Sequence, residues 1–291
     1  MKFKIINLKS FFTLGRLKIG FISTLLLLLI INLSCKTTST SRTTAITKKV
    51  ENVIPKREHS VQALLWQQNS AEYKALCYQA YNLAKLKIDE ISKNQYLRPI
   101  AIVTDIDETV LDNSPYNARM VKADQGYTKD TWYAWGKEVS AKPIPGSLEF
   151  FNYAAKKGIT IYYLSNRDNI QKVETIANLK KVGFPGVDEK HVLLRNGSSA
   201  KKPRRDLISE THQIVMLFGD NLSDFSELFD KQPTVKRNEL AKGMKTKFGV
   251  DFIVLPNPMY GDWETKGIYE GSYKWTTKQK DSIRKYKLRV K

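Results

Sequence analysis

The stretch IAIVTDIDETVLDN, residues 100–113, decides the fold. It begins directly after Pro99 as an unbroken apolar and β-branched run and stops at two acidic residues, Asp105 and Asp107. A run without polar alternation reads as a strand covered on both faces, as strands of parallel sheets are. Working outward, four more runs share this character: ITIYYLSN (159–166), HVLLR (191–195), QIVMLFGD (213–220) and DFIVLPN (251–257), with helical stretches between them. Strands alternating with helices predict a doubly wound α/β fold around a parallel sheet. Three of the runs end in polar or acidic residues: Asp105 and Asp107, then Ser165-Asn166-Arg167, then Asp220 with Asp224. In such a sheet the carboxyl ends of the strands share one crevice, so these groups converge. Carboxylates brought together need a cation to offset their repulsion, and a hard oxygen donor set points to Mg²⁺.

The segments around the sheet have other patterns. Residues 112–145 are rich in Tyr, Trp and Lys and lack a strand pattern, which predicts an insertion over the carboxyl edge of the sheet, where ligands bind in doubly wound folds. Upstream, Leu76, Ala80, Leu83, Ile88 and Ile91 recur at spacings of three to five, marking one face of a long helix that ends near Asn94, with Cys77 as a buried apolar residue. The folded part is expected to begin near Val61. From Lys36 to Ser60 the chain is Thr/Ser/Lys-rich and reads as a tether without a core. Residues 19–33, IGFISTLLLLLIINL, are apolar behind a basic leader, and shorter than the ~20 residues of a spanning helix. That is the shape of a secretory signal, with a plain membrane anchor as its alternative. It ends in Leu33-Ser34-Cys35, which resembles a bacterial lipoprotein signal whose cysteine is diacylated, although Asn32 stands where an aliphatic residue is usual. Two acyl chains on Cys35 would give stable anchoring.

With 291 residues, 42% hydrophobic and 26% charged, the chain suits one globular domain with extra segments, excluding global disorder and a multi-pass membrane protein. Lys+Arg 48 against Asp+Glu 29 gives a net charge of +19, which by itself would suggest an anionic partner. Much of that charge lies in the leader and after residue 274, however, so it reads as a targeting region and a solvated tail, and no specific nucleic-acid partner is expected. Two cysteines leave no room for a disulfide framework or a thiolate zinc site.

Four motifs occur in an order that resembles the haloacid dehalogenase superfamily: DIDETVLDN, SNR, SSAKK and GDNLSD. More narrowly, DETVLDNSPY, the Trp132/Trp135 pair, the Pro-x-Pro-Gly of 143–146, GDNLSDF and LPNPMYGDWE resemble class C acid phosphatases of the outer-membrane lipoprotein e type, over roughly residues 60–275. The resemblance implies a core of the dehalogenase type (99–111 and 146–260) with a small, mainly helical cap (61–98 and 112–145). Together these make a phosphatase domain at 61–275, preceded by a signal (1–34) and tether (35–60) and followed by a basic tail (276–291). It implies a 5′-nucleotidase or acid phosphatase in which Asp105 attacks phosphorus and Asp107 serves as acid and base. Ser165, Asn166 and Lys201 hold phosphate, with Lys202 as the alternative lysine. Asp105, the backbone carbonyl of Asp107 and Asp220 bind one Mg²⁺, and Asp224 supports them. An extended segment points residues i and i+2 the same way, so Asp105 and Asp107 can face one phosphate. By resemblance, Trp132 and Tyr260 stack on a nucleobase, a contact that tolerates different bases.

The bland readings are stated beside these. Trp132, Tyr133, Trp135, Tyr260 and Trp263 are in part core of the cap. Asp112, Asn113 and Arg167 read as capping, loop hydrogen bonding and ion pairing, and His191 and His212 as residues at the sheet boundary. The implied partners are small phosphomonoesters and, through Cys35, a membrane of the cell envelope, the outer membrane by resemblance; a homodimer is open. The rival readings are a broad-specificity acid phosphatase without nucleotide preference and a non-catalytic lipoprotein capturing a ligand such as haem. A pure binding protein has no need of the nucleophile and the acid together.

Overall fold

The computed structural model describes residues 53–272 and 274–290. The signal at 1–34, Cys35 and most of the tether therefore lie outside the described residues. Two helices come first, α1 (Glu58–Asn69) and α2 (Ala71–Ile91), then strand β1 (Ile100–Thr104). An insertion follows: β2 (Leu111–Asp112), α3 (Ser114–Lys122), α4 (Lys129–Lys137) and β3 (Lys142–Pro143). Helices and strands then alternate: α5 (Ser147–Lys156), β4 (Thr160–Asp168), α6 (Lys172–Lys181), β5 (Val192–Arg195), α7 (Lys202–Thr211), β6 (Gln213–Gly219), α8 (Thr234–Gly243) and β7 (Phe252–Val254). Helix α9 (Thr277–Tyr286) ends the series.

The five long-range strands form one parallel sheet in the order β5-β4-β1-β6-β7, with β1 at its centre. All five expected strands are present, and the unbroken apolar runs have the expected cause. Successive side chains of β1 enter opposite layers, and both layers are covered. Ile102 packs with Tyr81, Phe150, Phe151 and Phe218 in one core, whereas Ala101 and Val103 pack with Ile208, Phe225 and Phe252 in the other. The first core is aromatic at its centre, where Tyr81 and Phe218 stack with centroids 5.7 Å apart. Gly146, which opens α5, has φ 85° and lies against the same helix, since a Cβ there would sit 3.2 Å from the rings of Tyr78 and Tyr81. The glycine of the Pro-x-Pro-Gly stretch thus serves both the turn and the close approach.

Three expectations need correction. The buried face of α2 is Tyr73, Cys77, Tyr81, Ala84 and Ile88, while Leu76 and Leu83 are 43% and 38% exposed. The true stripe runs through tyrosines, whose rings fill the core while their polar ends make them ambiguous in sequence. Cys77 is fully buried, as expected, and burial pushes its thiol up to about 11. Second, α2 packs on α5 and β7 and so belongs to the helical layer on the sheet, not to a cap; α1, which packs on α3, does accompany the insertion. Third, the basic end of the chain is ordered as α9. Its Thr276 and Gln279 form a capping box, and Arg284 donates to the Tyr269 hydroxyl at 2.7 Å. The insertion is helical apart from the two-residue β2–β3 ribbon. No helix among the described residues is long and apolar enough to cross a membrane.

Candidate active site

The chain leaves β1 at Thr104 and turns sharply, with the backbone N–H groups of Val110 and Leu111 both donating to the Ile106 carbonyl. The Asp105 N–H donates to the Phe218 carbonyl at 3.0 Å, which ties this loop to β6. Within the loop Glu108 has φ 57°, a left-handed conformation that costs a non-glycine residue about 1–3 kcal/mol and persists only where its surroundings enforce it. The enforcing contacts are visible: the Asn113 N–H donates to one Glu108 oxygen at 3.0 Å, and the Tyr260 hydroxyl donates to the other.

Asp105 is 8% exposed and accepts from Lys201, itself 6% exposed. Lys201 also pairs with Asp224 at 2.7 Å. Sequence left Lys201 and Lys202 as alternatives, and the structure separates them: the Lys202 side chain is 48% exposed and pairs with Asp206 on its own helix. Asp224 reaches the floor because Gly219 has no side chain, since a Cβ there would lie 2.4 Å from Asp224 Oδ2. That approach accounts for the glycine of GDNLSD. Asp105, Asp220 and Asp224 each bring one carboxylate oxygen within 4.8 Å of the others. Burial pushes Asp105 up to about 7 and Asp220 well above the carboxylate range, and the neighbouring Asp224 adds to both. Burial opposes the charge of Lys201, yet Asp105 and Asp224 beside it hold its pKa above the ordinary lysine value.

Three carboxylates around one ammonium leave an excess of negative charge in a dry floor. The all-oxygen donor set and that excess fit a hard divalent cation, which would remove the penalty on Asp105 and Asp220. The Asp107 side chain is not part of this cluster. Its Oδ1 accepts from Arg167 Nη2 at 2.8 Å, Arg167 Nε at 3.0 Å and Asn113 Nδ2 at 2.8 Å, and its Oδ2 accepts from the Ser165 hydroxyl at 3.2 Å. An acid whose side chain is engaged this way is compatible with the backbone-carbonyl role the resemblance gives it.

Above the floor a cavity of about 410 Å³ opens between the insertion and the loop after β7. Asp105, Asp107, Ser165, Asn166, Lys201, Asp220 and Asp224 line it, as do Trp132 and Tyr260. Every site residue named from sequence within the described region is therefore brought to one cavity. Asn166 is exposed, and its amide oxygen accepts from Arg204 Nη2 at 2.7 Å. Trp132 packs edge-on against Tyr116 with centroids 5.0 Å apart, and Tyr127 lies 6.3 Å away. Trp135 is core, as the bland reading has it, with its indole N–H donating to Asn113 Oδ1 at 2.8 Å. The loop carrying Tyr260 is fastened to the floor, because Asn257 Nδ2 donates to Asp220 Oδ2 at 2.7 Å and its oxygen accepts from the backbone of Met259.

A family model for the HAD superfamily, subfamily IIIB (Acid phosphatase), matches residues 26–263. The chain belongs to this family. The class C acid phosphatase from Bacillus anthracis is 43% identical, with a TM-score of 0.78 over 82% of this chain and 100% of that one. The same enzyme with tungstate bound gives 43% and 0.77 over 80% and 98%. Among plant relatives, the stem 31 kDa glycoprotein of Glycine max is 30% identical over 161 residues, 53% of this chain and 57% of that protein. Acid phosphatase 1 of Solanum lycopersicum is 25% identical over 195 residues, 60% of this chain and 68% of that protein. The chain thus spans little more than half the length of the soybean relative. Both the resemblance and the α/β architecture are borne out.

Within this acid phosphatase framework, sequence reasoning gave Glu108 no part and took Arg167 and Asn113 as structural. Asn113 and Arg167 instead grip Asp107, and Glu108 holds Tyr260. Adjacency to the acidic pair was the available signal for Glu108, and the SNR motif for Arg167. Asp112 keeps its capping role, accepting from the Ser114 N–H at 2.8 Å. His191 and His212 flank Tyr162 on the sheet, away from the cavity.

Proposed function

We propose that the protein is a Mg²⁺-dependent phosphomonoesterase that prefers nucleoside 5′-monophosphates and works through a phosphorylated Asp105. The observation that carries this reading is the junction, in one cavity, of the buried Asp105–Lys201–Asp224 cluster with an aromatic wall containing Trp132 and Tyr260. Asp105, Asp220 and the backbone carbonyl of Asp107 would hold the cation, with Asp224 beside them. Bound there, Mg²⁺ screens the carboxylate nucleophile from the phosphate dianion and stabilises charge on the equatorial oxygens.

The protein's own groups do the rest. An oxygen of Asp105 forms a bond to phosphorus as the ester P–O bond breaks, and Asp107 gives its proton to the leaving oxygen. In the second half Asp107 takes a proton from the water that attacks the phosphoaspartate, which restores both residues. Lys201 and the Ser165 hydroxyl bind the transferring oxygens throughout, and Lys201 is already positioned by Asp224. The tungstate held by the Bacillus anthracis relative is a tetrahedral oxyanion like phosphate, which supports the substrate class. Trp132 and Tyr260 offer π faces to a base, and the basic leader, apolar run and Ser34-Cys35 support a lipid anchor in the cell envelope.

The experiment is hydrolysis of adenosine monophosphate, phosphoserine and p-nitrophenyl phosphate by purified protein, with Mg²⁺ and with a chelator. The reading expects activity that requires Mg²⁺ and a higher kcat/KM for the nucleotide than for phosphoserine. Equal kcat/KM across the panel would reduce it to a general acid phosphatase, and no turnover would end it. Palmitate labelling lost in Cys35→Ser is the matching test of the anchor.

A further inference from the structure

We propose that Arg167 is a positioning residue that fixes which oxygen of Asp107 faces the leaving group; the inference rests on the reading of Asp107 as proton donor. The guanidinium is buried at 4% exposure and its bonding is lopsided. Nη2 and Nε both donate to Asp107 Oδ1, at 2.8 and 3.0 Å, and Asn113 Nδ2 adds a third donor at 2.8 Å. An oxygen with three donors on it has no lone pair left for a proton. Oδ2 has only a longer contact to Arg167 Nε, 3.2 Å, and one to the Ser165 hydroxyl, also 3.2 Å. A hydroxyl can accept as well as donate, so Oδ2 is the oxygen able to carry a proton, and it lies on the side of Ser165, the phosphate-holding residue.

The clamp is itself held in place. Nη1 donates to Thr175 at 3.3 Å, the Trp132 ring covers the guanidinium at 5.4 Å, and Trp135 fixes Asn113 from behind. A planar fork seated on three sides can hold a carboxylate in one rotation, which a lysine's single point charge cannot. Proton transfer then proceeds from Oδ2 to the ester oxygen as the bond from Asp105 to phosphorus forms and the ester bond breaks, with Oδ1 left on Arg167.

Misaligning a proton donor harms a basic leaving group far more than one stable as an anion. The test therefore compares phenyl phosphate with p-nitrophenyl phosphate. Both carry an aromatic ring, they differ in leaving-group basicity, and kcat/KM reports the half-reaction in which that group departs. Wild type, Asp107→Asn, Arg167→Met and Arg167→Lys are each assayed on both esters with Mg²⁺. The ratio of the two kcat/KM values on one preparation does not depend on how much of it is folded. General acid catalysis supplies about 10²–10⁴-fold, so Arg167→Met should lower phenyl phosphate at least about tenfold more than p-nitrophenyl phosphate. Arg167→Lys should steepen the ratio in the same direction by less, and Asp107→Asn by the most. Equal losses on both esters in Arg167→Met, with a steep ratio in Asp107→Asn, would overturn the positioning role alone. Equal losses in Asp107→Asn would remove the proton-donor reading and the inference with it.

Discussion

The floor and the mouth of the cavity are built on opposite principles. At the floor, charged groups are buried and interlocked: Lys201 is shared between Asp105 and Asp224, and Arg167 is closed on Asp107. At the mouth, Trp132, Tyr127 and Tyr116 touch through ring edges and faces, and Tyr127 is 59% exposed. Desolvated charge is costly unless each group has its partner, so the floor has one arrangement and little tolerance. Aromatic packing is additive and tolerant, so the mouth can accept different leaving groups. In the proposed reading the floor sets the chemistry and the mouth sets which esters reach it.

The sharpest way to break this division is Asp105→Asn, which keeps size and polarity but removes the nucleophile. Turnover should fall on the order of 10⁴-fold or more on every ester alike, and a loss confined to nucleotides would show that the floor is not generic. Lys201→Met should cost about 10²–10³-fold in kcat, as loss of a preorganised charge on the transferring group does. Its neighbour supplies the control, because Lys202→Ala removes only an exposed pair.

The floor also makes a prediction about pH. Burial raises Asp105 from the ordinary carboxylate value of 3.8 to about 7. A group raised on folding contributes stability that is complete below 3.8 and is lost as pH rises to about 7, so the metal-free protein should weaken across that interval. Mg²⁺, by favouring the ionised carboxylates, should raise Tm by several degrees more at pH 8 than at pH 5. Equal shifts at the two pH values, measured by calorimetry with and without chelator, would show that the cation does not engage these carboxylates.

For the mouth, Trp132→Ala should raise KM for adenosine monophosphate by roughly tenfold to a hundredfold, the worth of one base stack, with a smaller change in kcat. Phosphoserine, which has no ring, should be nearly unaffected; matching losses on both would make Trp132 a wall of the cap and not a binding surface. The smallest effect belongs to Lys202→Ala, expected within about twofold of wild type on all esters. A loss comparable to that of Lys201→Met would reverse the assignment of the phosphate lysine.

Sequence by itself determined the sheet and the floor, because both depend on local signals. Continuous apolar runs can only be strands covered on both faces, and acidic residues at their ends must gather in one crevice once the sheet is parallel. The spacing of DIDET, SNR, SSAKK and GDNLSD was therefore enough to name Asp105, Asp107, Ser165, Lys201, Asp220 and Asp224. Tertiary structure alone decided the rest. Lys201 and Lys202 are neighbours in sequence, and only the direction in which α7 begins sends one to Asp105 and the other to solvent. The buried stripe of α2 ran through Tyr73 and Tyr81, not Leu76 and Leu83, because the cavity between α5 and β6 is shaped for aromatic rings. Glu108 and Tyr260 stand far apart in the chain, as do Arg167 and Asp107, and each pair meets only after the sheet has brought its loops together. A side chain's partner across the cavity leaves no periodicity in sequence. For Arg167, the residue type was visible, but its grip on Asp107 depended on geometry that no local pattern encodes.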